Sequence, residues 1–109
     1  MADNIFFTLC ADLIKAISHP TRIEILFILK DHEELCVCEI YENLELEQSN
    51  VSQHLKVLRD KGILTTRKDG LKVMYRVKHP EVYGVIEIVK SILQKQIAES
   101  QIHLSGGDR

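Results

Sequence analysis

This sequence is short of what enzymes and exported proteins need. It has no glycine-rich run to cradle a phosphate and no cluster of histidines with carboxylates. No βαβ pattern surrounds its thiols, so a Cys-x-Cys pair is all that would speak for a thiol-disulfide enzyme. Phe6, Phe7 and Leu9 lie near the start, but Asp12 and Lys15 interrupt them, too soon for a signal peptide or a membrane span. The chain is therefore expected in the cytoplasm, with its three cysteines as free thiols rather than a disulfide framework. Repeats and low-complexity tracts are also missing. What remains is 109 residues, 45% hydrophobic, enough for one small core.

Cations are missing locally. Between Asp31 and Glu47 there are seven carboxylates (Asp31, Glu33, Glu34, Glu39, Glu42, Glu45, Glu47) and no Lys or Arg. From His54 to Lys78 eight cations face only Asp60 and Asp69. A net charge of -2 hides this division, and a basic half is the electrostatic footprint of a nucleic-acid binder.

Helical spacing of Phe6, Leu9, Cys10, Leu13 and Ile17 predicts a helix over 4–17. His19-Pro20-Thr21 punctuates, and a second helix, apolar on most sides and so expected at the centre of the core, runs from Thr21 to about Lys30. A short third helix is expected from about Cys38 to Leu44, with Ile40, Tyr41 and Leu44 inward. A fourth runs from about Gln48 to Lys61 and is stopped by Gly62. Ile63 to Val77 reads as a hairpin turning at Asp69-Gly70, with Val73, Tyr75 and Val77 alternating. After Pro80 a long helix carries Val82, Val85, Ile86, Val89, Ile92, Leu93 and Ile97 on one stripe; residues 105–109 are expected to fray. This is a mainly α chain with a small β-hairpin (α+β), a winged helix-turn-helix over 1–104. Its first and last helices hold more apolar surface than so small a body covers, which predicts a two-fold homodimer through them.

At about 100° per residue, Val51, Leu55 and Leu58 turn the fourth helix toward the core. The opposite side centres on Gln53, with Ser49 and Lys56 beside it and Asn50, Ser52 and Arg59 flanking; Gln48 opens the helix and His54 lies at the edge. Asn and Gln pair with adenine edges, and Ser, Lys and Arg hold phosphates or bases, so this face suits a DNA major groove. His54 is either a phosphate contact or a part-buried structural residue. Arg67, Lys68 and Lys72 flank the hairpin tip, placed for a minor groove or the phosphate backbone.

Cys36 and Cys38 cannot share one ion from mid-helix, where their side chains diverge by about 200°. In extended chain they share a side, Cα atoms roughly 6.6 Å apart, so the pair belongs in a loop or at the very start of the third helix. There a helix N-terminus is expected to lower the thiol pKa. A closed site needs a third ligand. Cys10 is the remaining cysteine, though it also falls on an apolar stripe as an ordinary core residue would; His32 is the other candidate. Three thiolates suit arsenite or antimonite, and thiolates also suit cadmium, lead and zinc, zinc or cadmium the more so with His32.

At these residues the chain resembles the ArsR/SmtB family of metal-sensing bacterial and archaeal repressors. His19-Pro-Thr-Arg-Ile-Glu-Ile-Leu26 resembles the family's opening motif, and Glu34-Leu-Cys-Val-Cys-Glu-Ile40 its metal-binding box. Gln48-Ser-Asn-Val-Ser-Gln-His-Leu55, with Leu58, Gly62 and Leu64, resembles its recognition helix. The resemblance implies a homodimer bound to operator DNA that represses a resistance or efflux operon until As(III), Sb(III) or another thiophilic ion binds. Two departures are visible. The third cysteine that arsenic-sensing relatives carry soon after the box is missing at Tyr41 and its neighbours, and Cys10, reaching the pair of its own or the other subunit, is the natural substitute. The acid-and-histidine set of some zinc-sensing relatives is not reproduced by Glu87 and His103. Within the same class, a disulfide between Cys36 and Cys38, or from either to Cys10, would make a redox sensor. A winged helix used only for protein docking is the reading that salt-insensitive DNA behaviour would favour.

Overall fold

The structure, a computed structural model, describes the backbone of residues 2–106 and the side chains of residues 4–101. Two compact units divide the chain, Met1–His79 and Pro80–Arg109. The first holds α1 (Ala2–Ile17), α2 (Pro20–Lys30), β1 (Leu35–Cys36), α3 (Val37–Glu42), α4 (Gln48–Asp60), β2 (Leu64–Asp69) and β3 (Lys72–Val77); the second is α5 (Glu81–Gly106). Of the tail expected to fray, Ser105 and Gly106 close α5, while 107–109 lie outside the described residues.

Helix ends have local causes. His19 is extended and its Nδ1 accepts the Thr21 N–H, so α2 starts capped, with Pro20 where no amide donor is needed. α4 ends in a Schellman motif: the Gly62 N–H bonds the Arg59 carbonyl and the Ile63 N–H the Leu58 carbonyl, at 3.0 and 2.9 Å. That closure needs a left-handed residue, and Gly62 supplies it with φ +77. Ile63 and Leu58, joined by the motif, are both buried.

The core lies between α2, α3, α4 and the sheet. Ile25, Leu26 and Leu29 of α2 pack with Ile40 of α3, Val51, Leu55 and Leu58 of α4, and Leu64 of β2, all buried. Sequence alone overstates the burial of α2. Phe27 is 44% exposed and Ile23 and Ile28 are half-buried, so the helix buries one face rather than its whole circumference. The element in contact with α1, α2, α3 and β2 alike is α4. Its inner face is clamped from several sides while its outer face stays free.

The sheet has three antiparallel strands in the order β1-β3-β2, where the sequence predicts a two-stranded hairpin. β1 pairs Leu35 with Tyr75 and Cys36 with Met74. Two residues are too few to display strand periodicity, which is why this strand is silent in the sequence. The hairpin also turns one residue later than expected. Asp69 pairs with Lys72, leaving Gly70-Leu71 as the loop, with a positive φ of 64° at Gly70 only. That is the type II′ pattern, glycine at the first central position, rather than the Asp-Gly form.

α1 leaves Ile5, Phe6, Phe7, Leu9, Leu13 and Ile14 exposed, and α5 leaves Val85, Ile88, Val89, Ile92, Leu93 and Ile97 exposed. Among the described residues no helix is long and apolar enough to cross a membrane.

Candidate functional site: a DNA-reading surface and a thiol pair

On α4 the inward set Val51, Leu55 and Leu58 is fully buried, so the opposite side is presented to solvent as a rigid strip. Gln48, Ser49, Asn50, Ser52, Gln53, Lys56 and Arg59 are all exposed on this helix. At the far end of α4, Asp60 is paired. Its carboxylate accepts from Lys56 Nζ at 3.2 Å and lies 3.5 Å from Arg59 Nη2; the Lys56 hydrogen bond is the main cause holding its carboxyl below the ordinary range. Such exposed pairs are weak and yield readily to a phosphate. His54 departs from the expected strip. It is half-buried, and its Nδ1 accepts from Arg22 Nε at 3.1 Å, so the protein itself already uses the ring.

On the wing, Arg67, Lys68 and Lys72 are exposed as expected, and Leu71 at the tip is fully so. Arg67 is engaged, however. Its Nε donates to both oxygens of Glu34 at 3.0 Å, and Nη2 donates to Oε1 as well. This hydrogen-bonded ion pair lowers the Glu34 pKa and raises that of Arg67. It ties the wing to the residue just before β1. Replacing Glu34 with Gln should free Arg67 for phosphate, tightening DNA binding a few-fold at low salt and steepening the salt slope by about one. Fluorescence anisotropy across a salt series measures both; an unchanged slope would take Arg67 out of the phosphate-binding set.

Cys36 and Cys38 meet where α3 begins, as their spacing requires. Cys36 ends β1 and is the N-cap of α3, with φ -80 and ψ 166; Cys38 lies in the first turn. Cys36 is buried, 2% exposed, and Cys38 is exposed, yet their Sγ atoms are 2.6 Å apart. The cap is reciprocal. The Cys36 N–H donates to Glu39 Oε1 at 2.9 Å while the Cys36 sulfur receives the Glu39 N–H. A cysteine thus stands where a capping box normally has Ser or Thr. The thiol pKa moves opposite to the expected direction: the hydrogen bond with Cys38 and burial raise Cys36, outweighing the helix amide that favours the thiolate. Glu39 is held low, first by the Cys36 N–H.

Cys10 is half-buried on α1. Among the described residues no three His, Cys, Asp or Glu side chains come together to hold an ion, so within one chain neither Cys10 nor His32 joins the pair. The side chain of His103 lies outside the described residues. Sequence reasoning passed over Arg22, the Glu34–Arg67 tie and Glu39. Only Glu39 had a local signal, the acid three residues after a capping position.

Comparison with known proteins fits this geometry. Residues 19–66 match the bacterial regulatory protein, arsR family. The transcriptional repressor PagR of Bacillus anthracis is 39% identical over 82 residues, 75% of this chain and 82% of PagR. An arsenical resistance operon repressor of Staphylococcus aureus is 37% identical over 75 residues, 69% of this chain and 71% of that protein. The chain belongs to the ArsR family. The crystal structure of Mycobacterium tuberculosis Rv0081 is similar with a TM-score of 0.76 at 30% identity, covering 87% of this chain and 95% of that one, and the fold is a winged helix. As an ArsR-family member the protein is a DNA-binding transcriptional repressor and not an enzyme. The matched span runs from the cap of α2 into β2, so it includes Cys36, Cys38 and all of α4, and leaves out α1 with Cys10.

Proposed function

We propose that this ArsR-family repressor releases its operator when Cys36 and Cys38 are drawn into a common bond, with As(III) or Sb(III) as the principal inducer. The observation that carries this reading is the contact of the two sulfurs at the head of α3, the helix that packs on α4. Cys36 holds three positions at once: N-cap of α3, partner of Met74 on the wing strand, and half of the thiol pair. Withdrawing its sulfur from the Glu39 N–H uncaps α3 and disturbs the β1–β3 pairing. The reading helix and the wing are therefore displaced together.

The donor set fits two of the three thiolates that an As(III) centre takes. Cys10 is the proposed third, supplied by a second copy, since one chain does not gather all three. The exposed apolar faces of α1 and α5 support a homodimer, which sedimentation in the same buffer checks. Arsenical resistance repressors among the relatives favour a metalloid. Cadmium, lead and zinc remain competitors by ligand chemistry. A redox reading is favoured by one specific feature, the lack of a third donor beside the sulfurs among the described residues. In that reading the two thiols lose two protons and two electrons to a peroxide, which leaves as water, and a disulfide forms.

The test is operator titration with arsenite, antimonite, cadmium, lead, zinc and peroxide in parallel. Arsenite or antimonite should release the DNA at the lowest free concentration, weakening binding about 5- to 150-fold. Release by peroxide alone would overturn the metalloid assignment in favour of the disulfide.

A further inference from the structure

α4 is fastened to the fold by a cluster its DNA-reading strip does not use. Arg22 of α2 donates from Nε to His54 Nδ1 at 3.1 Å and from Nη1 to the Ala16 carbonyl, near the end of α1, at 3.1 Å. The His54 ring lies against His19, centroids 4.3 Å apart and planes inclined 42°. His19 caps α2, its Nδ1 accepting the Thr21 N–H at 3.0 Å. One guanidinium and two imidazoles thus join the last turn of α1, the start of α2 and the middle of α4.

We propose that Arg22, His54 and His19 are positioning residues for DNA reading, and that they hold α4 in its reading pose only while the His54 imidazole is neutral. The Nδ1 of His54 is spent as an acceptor from Arg22, so the neutral ring carries its proton on Nε2. A proton on His54 Nδ1 would replace the hydrogen bond with cation against cation in a part-buried place. Among the described residues the charged groups that act on His54 are His19 and Arg22; α1, α3 and β2, which also pack on α4, add none to the shift. Around Arg22 the hollow is completed by Asp12 and Lys15 of α1 and Lys61 beyond α4.

Burial first, then His19 and Arg22, push His54 below its ordinary value of 6.5. The folded chain therefore refuses a proton that the unfolded chain accepts. The pose is fully held above that value and is lost as pH falls below it toward the folded pKa. A His54–phosphate contact has the opposite sign, because protonation would add a cation beside DNA and tighten binding.

The inference rests on α4 being the reading helix, and one experiment separates the two. Full-length protein is titrated by anisotropy, at fixed salt and from about pH 8 to 5.5, against a duplex selected from a random-sequence pool. Native affinity should fall about tenfold over that range. His54→Asn keeps an acceptor for Arg22 but cannot titrate, so its own pH response should be much flatter, with affinity within roughly threefold of native at the alkaline end. Arg22→Gln should lose about tenfold at the alkaline end with the salt slope unchanged. Native binding that tightens as pH falls, or His54→Asn that follows the native profile, overturns the clamp. An error in the reading-helix assignment shows separately, as Gln53→Ala binding like the native chain at the alkaline end.

Discussion

Cys36→Ser should grip the operator as tightly as the native chain and fail to release it. Serine is a preferred N-cap, and with Glu39 it completes a standard capping box, so the start of α3 should be kept or strengthened by up to about 1 kcal/mol. The hydroxyl oxygen accepts the Glu39 N–H that the sulfur now receives, so that donor is not left unsatisfied. What is lost is the soft ligand. An inducer effect of about 5- to 150-fold on operator affinity should collapse to almost none, read by anisotropy with and without arsenite. Cys38→Ser should do the same without touching the core, because Cys38 is exposed. Undiminished release from either variant would move the switch elsewhere. Cys10→Ser then divides the two chemistries: it should abolish release by arsenite if three thiolates are needed, and leave release by peroxide intact if the pair alone oxidises.

How far the sequence reaches depends on the range of the interaction being read. α1, α2 and α4 are legible because apolar spacing, Pro20 and Gly62 are local signals, and the outer strip of α4 follows from the positions of Val51, Leu55 and Leu58. The location of the thiol pair is legible for the same reason, since the geometry of two residues at i and i+2 is local. β1 is not, because Leu35 and Cys36 become a strand only through partners 38 to 40 positions away, Tyr75 and Met74. The Arg22–His54 and Glu34–Arg67 links span 32 and 33 positions and leave no local trace. The pKa of Cys36 goes astray from two missing quantities. A helix N-terminus argues for the thiolate, but the Cys38 contact and burial argue against it, and both are properties of the folded chain. The result is a site whose address is written locally and whose chemistry is set by the fold.

Leu55→Ala should be the most damaging single truncation on α4. Leu55 is fully buried in the helix that touches α1, α2, α3 and β2, so the cavity cannot be closed by moving one neighbour. The expected loss is about 2–5 kcal/mol, or a fall in Tm of about 10 °C or more. DNA binding should fail with it as the helix loses its mount. Two residues earlier, Gln53→Ala removes a side chain from the exposed strip and should leave Tm unchanged, while costing about 1–3 kcal/mol of operator affinity with little change in salt slope. Lys56→Ala should also spare Tm but reduce the salt slope by about one, with Asp60 losing the nearer of its two cationic partners. Melting curves and salt-dependent anisotropy on the three variants thus separate the mount, the base reader and the phosphate contact of one helix. If Gln53→Ala melts lower and binds normally, the reading strip has been assigned to the wrong face of α4.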